Sequence, residues 1–272
     1  MMSGFLAYGF VQRGLLAGSL VAAACALIGV FLVLKRLSLI GDGMSHVCLT
    51  GVAVALLTSS NPVYMSVPVV VLSSLGIMKI TQKFKIYGDA AIGIVSAAGL
   101  SVGLLITAFA GGFNTDLLGY LFGSILTVSW DEVLLCGILL AAVLGGLRFF
   151  YRDLTSACFD EPFARTRGVP VRILNTALVA VTSVAVVLAF KVVGIFLISA
   201  MLIIPPVSAL LVSHTFKQVL VCAACFGVAS VWLGVYLSFL FNIPSGATII
   251  LVNLLVLAGC YIYAKVGGSD AR

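Results

Sequence analysis

Asp42 and His46 stand four residues apart in GDGMSHVCLTGVA, so a helix through this stretch sets a carboxylate and an imidazole on one face. Imidazole suits zinc and the later transition metals, while carboxylate suits magnesium, calcium or manganese, so the pair is a two-donor start on a divalent-cation site. A polar helix cap with a hydrogen-bonded histidine would use the same two residues. The flanking sequence is apolar, and a charge at a bilayer centre costs about 2.5–3.5 kcal/mol on insertion scales, which tilts the reading toward function. Asp116 lies in FNTDLLGYLFGSILTVSWDEV, just before a short apolar segment at 117–128. Such a length fits a re-entrant piece better than a full crossing. Broken segments of this kind are tolerated where they line a polar cavity, and Asp116 could then approach Asp42 and His46 and complete a site. Asp131 and Glu132, beyond that segment, read instead as first-turn acids favoured by a helix dipole.

The elements that must hold these residues are membrane helices. The 272 residues are 62% hydrophobic and 9% charged, against about 25% charged in a soluble domain, which excludes a soluble fold. Continuous apolar runs at 14–34, 90–110, 171–190, 219–241 and 247–264 approach the roughly 20 residues that cross a bilayer as a helix. They do not alternate as barrel strands would. The fold class is therefore all-α, a polytopic transmembrane bundle. Apolar segments at 14–34, 44–58, 63–80, 90–111, 131–150, 171–190, 193–213, 218–241 and 246–265 give eight or nine spans in one domain over 1–272. No removable leader is apparent, so the first span is kept.

Lys35 and Arg36; Lys79, Lys83 and Lys85; Arg148, Arg152, Arg165, Arg167 and Arg172; and Lys217 and Lys265 mark alternate loops. The positive-inside rule makes these cytoplasmic, with the amino terminus outside and the carboxyl terminus inside, although Arg13 and Lys191 fall on the other side. The net charge of +6 is scattered among loops rather than gathered on one face, so no nucleic-acid partner is implied. Pro205 and Pro206 interrupt an apolar run and predict a kink or break. Gly14, Gly18, Gly29, Gly99 and Gly103 include spacings of four that permit close helix approach. Seven scattered cysteines suggest no disulfide framework, and the CxxC of Cys222 and Cys225 lacks a second pair or a nearby histidine.

One long polar connection, 148–170, contains FDEPFARTRGVPV. Asp160 and Glu161 precede a helical stretch that Gly168 can end, which predicts a short amphipathic helix on the cytoplasmic face. Glu161, Ala164 and Gly168 recur at helical spacing as one contact face for a soluble partner, with Ala164 small enough for close approach. Neither a GxxxxGK[ST] phosphate loop nor an HExxH occurs, so ATP hydrolysis by that route and the commonest zinc-peptidase chemistry are both missing. No enzyme activity is expected of this chain.

Six stretches in order resemble the metal-ion ABC transporter permeases, the membrane subunits of bacterial zinc, manganese and iron import systems: GVFLVLKRLSLIGDGMSHVCLTGVA, GDAAIGI, DLLGYLFGSILTVSWDEV, FDEPFARTRGV, the residues from Val193 through Leu211, and IPSGATIIL. The resemblance implies a multi-pass protein of the plasma or inner membrane with a single permease domain, similar to vitamin B12-type importer permeases. It implies cytoplasmic ABC ATPase subunits, an extracytoplasmic metal-binding protein, and a homodimer or paired permease. Asp42, His46 and Asp116 match the family's metal positions. FDEPFARTRGV matches its coupling region, giving Asp160, Glu161, Ala164, Arg165 and Gly168 as the contact with the ATPase. No cofactor is held permanently; zinc is the first expectation for the transported ion, with manganese or iron as alternatives. Cys48 and Thr50 depart from the small residues and proline often found there. A secondary metal carrier or channel would also explain Asp42 and His46, but would leave FDEPFARTRGV without a task.

Overall fold

In a computed structural model, residues 9–84, 88–109, 123, 128–195 and 198–266 are described. Every regular element among them is a helix: α1 (Gly9–Leu34), α2 (Ile40–Leu57), α3 (Pro62–Phe84), α4 (Gly88–Phe109), α5 (Trp130–Phe159), α6 (Glu161–Thr166), α7 (Val171–Val193), α8 (Ile198–Val212), α9 (Phe216–Phe241) and α10 (Ser245–Val266). Eight of these helices, all except α6 and α8, are long and apolar enough to cross a membrane. The segment expected at 193–213 folds as the 15-residue α8, which at about 1.5 Å per residue falls short of a roughly 30 Å hydrocarbon core. Asp116 and nearly all of the short segment 117–128 lie outside the described residues.

The apolar run that begins α5 ends near residue 147, but the helix continues to Phe159, so the expected long polar connection is largely helical. Its start is fixed by a capping box. The Ser129 hydroxyl accepts from the Glu132 amide and the Glu132 carboxylate accepts from the Ser129 amide, satisfying two amides that a helix start leaves free. Its far end is held by aromatic packing, with the Phe216 ring 5.6 Å from Phe31, 5.9 Å from Tyr151 and 5.9 Å from Phe159. Lys35 Nζ donates to the Ala157 carbonyl at 3.2 Å and to Asn175 Oδ1 at 2.6 Å. The ends of α1, α5, α7 and α9 thus meet at one pole, where the basic loop residues gather. This is the cytoplasmic pole by the positive-inside rule.

Pro205 and Pro206 are fully within α8, and the helix runs through both instead of breaking. Proline lacks an N–H, so Pro206 leaves the carbonyl of Leu202 without its helical donor. Gly29 of α1 packs directly on that carbonyl, and a Cβ there would also lie 2.8 Å from Pro206 Cγ. The close approach that needs glycine on α1 is the one that shields the carbonyl freed on α8. Gly41, in the first turn of α2, meets the same Leu202 side chain, where a Cβ would sit 2.6 Å from Cδ1. The chain between α1 and α2 folds back, with the Leu37 amide donating to the Leu32 carbonyl at 2.8 Å. Gly29 and Gly41 thus share one partner, so the first turn of α2 packs on the same residue of α8 as Gly29, which stands five residues before the end of α1.

Glycines also bring α2 against α4. A Cβ at Gly99 would lie 2.7 Å from Val47 Cγ2, and one at Gly103 would lie 3.0 Å from the Thr50 amide, a small-residue seam of the kind that packs membrane helices.

Helix α6 forms as the sequence predicts. Asp160 caps it by accepting from the Phe163 amide at 2.9 Å, and Gly168 follows at φ +79°, a left-handed conformation that favours glycine. The expected contact face through Ala164 is corrected. Ala164 is fully buried against Ala157 of α5 and Val171 of α7, so it seats α6 on its own chain, while Phe163, Arg165 and Arg167 point outward. Ala164→Glu would bury an unpaired carboxylate at a cost of about 3–5 kcal/mol, so α6 should come off α5 and α7. Trypsin cleavage after Arg165 and Arg167 is then expected to speed up by roughly 100-fold through local opening. Unchanged cleavage kinetics would show that the helix stays seated without Ala164.

Candidate metal site

Helix α2 lies near the middle of the bundle and is buried on almost every side. From Ile40 to Ala53 only Asp42, His46 and Thr50 escape full burial. Their spacing of four makes one stripe along a helix, turning slowly about its axis. The rest of α2 is held by neighbours: Gly41 by Leu202 of α8, Gly43 by Ile92 and Val47 by Gly99 of α4, and Gly51 by Ser66 of α3. From Ile40 to Ala53, three polar side chains are therefore the part of α2 that its own chain leaves partly uncovered.

His46 Nε2 and Asp42 Oδ2 are 3.7 Å apart, and the side chains are 24% and 51% exposed. That separation is too long for a hydrogen bond. Two donors that each bind one metal at about 2.0–2.2 Å lie at most about 4.4 Å from one another, so the pair can share an ion without moving apart. A transition ion takes at least about four ligands, and no group of three His, Cys, Asp or Glu side chains occurs among the described residues. Asp42 and His46 alone therefore offer half of the donors such an ion takes. Asp42 also stands in the first turn of α2, where the helix dipole favours negative charge.

Thr50 is the stripe residue that motif reading passed over as a mere departure in side-chain type. Its hydroxyl donates to the Gly99 carbonyl at 2.6 Å, which ties the stripe to α4. The signal that could have found it is its position eight residues after Asp42. Cys48 is buried behind the stripe, and all seven cysteines are free.

The second group of predicted residues stands apart, at the cytoplasmic pole. Glu161 and Arg165 form an exposed ion pair at 2.6 Å, the Arg167 guanidinium lies 5.7 Å from the centre of the Phe163 ring, and Asp160 and Gly168 bound α6. Exposed pairs of this kind add little stability. What they provide is a charged and aromatic outer surface on a helix pinned from beneath by Ala164.

A family model described as the ABC 3 transport family matches residues 7–264. The manganese transport system membrane protein MntC of Listeria innocua is 33% identical over 98% of this chain and 95% of its own. A Haemophilus influenzae relative, 32% identical over 96% of this chain and 96% of its own, carries an iron-transport name. Among solved structures, PsaBC from Streptococcus pneumoniae in complex with Fab aligns with a TM-score of 0.85 at 29% identity, covering 96% of this chain and 95% of that one.

Proposed function

This chain belongs to the ABC 3 transport family, a multi-pass membrane permease of a metal transport system, and on that premise we propose that it carries manganese inward. The observation that carries the reading is the polar stripe of Asp42, His46 and Thr50, partly uncovered on a helix otherwise buried from Ile40 to Ala53. Manganese takes the place of zinc as the leading cargo. A carboxylate and an imidazole accept either ion, and the manganese-named relatives from Listeria support the change.

Asp42 and His46 are partly open to the outside of their own bundle. A second permease seated on that side would bring a second pair, and two pairs supply the four donors that one lacks. This supports a homodimer or paired permease, with Asp116 as a further acidic position near the path. A cation held by few, partly exposed donors is bound weakly enough to leave, as conduction requires. Energy comes from outside the chain: cytoplasmic ATPase subunits dock on the outer face of α6, which Asp160 and Gly168 bound and Glu161 and Arg165 help form. Because α6 is seated on α5 and α7, a push on it reaches two spanning helices directly. An extracytoplasmic binding protein delivers the ion.

Proteoliposomes with the permease and its ATPase test this reading. Manganese accumulation that needs ATP and exceeds zinc and iron is the expected result. Uptake by the permease without its ATPase would identify a secondary carrier instead, and a preference for zinc or iron would remove the manganese assignment.

A further inference from the structure

The largest cavity described at the cytoplasmic pole has a volume of about 820 Å³ and lies between the α1–α2 connection, the end of α3, the starts of α4 and α7, the end of α5, and α6. Its charged lining is Lys35, Arg36, Arg165, Arg172 and Glu161, four cations against one anion. That sign makes the cavity a poor resting place for a divalent cation, and the metal stripe does not explain it. The cavity also has an apolar part, made by Leu34, Leu37, Ile40, Ile77, Met78 and Ile92. Basic residues over an apolar wall, at the pole where the membrane surface meets water, match the two ends of a phospholipid.

Two details indicate that the basic rim is built for a ligand. Lys35 is positioned by the Ala157 carbonyl and Asn175 Oδ1, neutral partners that leave its positive charge uncompensated. Arg36 adopts φ +57° at the end of α1, a left-handed position where glycine is ordinarily found. A non-glycine residue there is strained, and in return it places a guanidinium on the cavity rim. Arginine is the side chain best matched to phosphate oxygens. Basic pockets between helices on the cytoplasmic side are known binding places for anionic headgroups.

We propose that this cavity binds an anionic phospholipid of the cytoplasmic leaflet, with the phosphate held by Lys35, Arg36 and Arg172 and the glycerol and first acyl carbons against Leu34, Leu37 and Met78, the apolar lining residues that keep accessible surface. The lipid would bridge α1, α3 and α7 beneath α6, so its presence stiffens the base on which α6 rests. The assignment is independent of which metal is carried.

The test uses the full-length permease with its ATPase, purified in detergent and examined by native mass spectrometry and thermal unfolding. Phosphatidylglycerol is added against phosphatidylcholine, and glycerol 3-phosphate and inorganic phosphate serve as soluble phosphate sources. Wild type should retain phosphatidylglycerol through delipidation at least tenfold better than phosphatidylcholine and melt at a higher temperature with it. Arg36→Gln with Arg172→Gln should lose that preference while melting like wild type in phosphatidylcholine, and the matching Lys pair should keep it. Equal retention of the two lipids by wild type would overturn the proposal. So would unchanged phosphatidylglycerol retention in the Gln pair, or stabilisation by the soluble phosphates equal to that by lipid. If the Gln pair fails to fold, wild-type competition decides: displacement of bound phosphatidylglycerol by millimolar glycerol 3-phosphate overturns the lipid assignment, and resistance to it supports the proposal.

Discussion

Asp42→Ala and His46→Ala should each abolish metal accumulation in cells while the transporter stays assembled in the membrane. Both side chains are partly exposed and separated by 3.7 Å, and neither belongs to the apolar core, so truncation leaves the core packing in place. The bonds that position the rest of the stripe, such as Thr50 to the Gly99 carbonyl, do not involve either residue. Loss of a groups that merely supports a ligand costs about 10–100-fold in metal affinity, and loss of the ligand itself should cost at least about 100-fold. In a two-fold pair each substitution removes its donor twice. Elemental analysis of cells, alongside the amount of permease and ATPase recovered together, separates transport from assembly. Normal accumulation by either variant would remove that residue from the site, whatever the cargo.

Gly29→Val should prevent stable accumulation of the protein, and Gly29→Ala should lower its melting temperature and its transport together. A Cβ at Gly29 would fall on the Leu202 carbonyl and lie 3.1 Å from the carbonyl carbon and 2.8 Å from Pro206 Cγ. These are backbone atoms and a proline ring, with no flexible side-chain end to swing aside. Over-packing of this kind costs about 1–3 kcal/mol, and more when the backbone must move. Leu202 also seats Gly41, next to Asp42, so a displaced α8 disturbs the stripe. Gly137→Ala is the control, because a Cβ there meets nothing within 4 Å, and alanine for glycine inside a helix is neutral or stabilising by up to about 1 kcal/mol. Equal melting temperatures for Gly29→Ala and Gly137→Ala would show that the α1–α8 contact is not rigid.

Much of this was legible in the sequence because it is local. Apolar length gave the spanning helices, since a bilayer forces each long apolar run to satisfy its own backbone groups. Asp160 and Gly168 announced α6, because caps and left-handed glycines act within a few residues. The shared face of Asp42 and His46 follows from helical periodicity alone.

Tertiary structure decided which faces are covered. In a membrane helix that is apolar all round, hydrophobicity cannot distinguish a lipid-facing side from a protein-facing one, so nothing local marked α2 as buried from Ile40 to Ala53 except along Asp42, His46 and Thr50. For the same reason Ala164 read as a partner contact, although it is buried under its own chain. Pro205 and Pro206 suggested a kink or break because local rules count only the lost donor; Gly29, far away in sequence, shields the carbonyl that Pro206 frees. The packing of the first turn of α2 depends on that same junction, where Gly29 and Gly41 converge on Leu202. Periodicity and capping are encoded residue by residue, whereas coverage and the basic cavity arise only where distant helices meet.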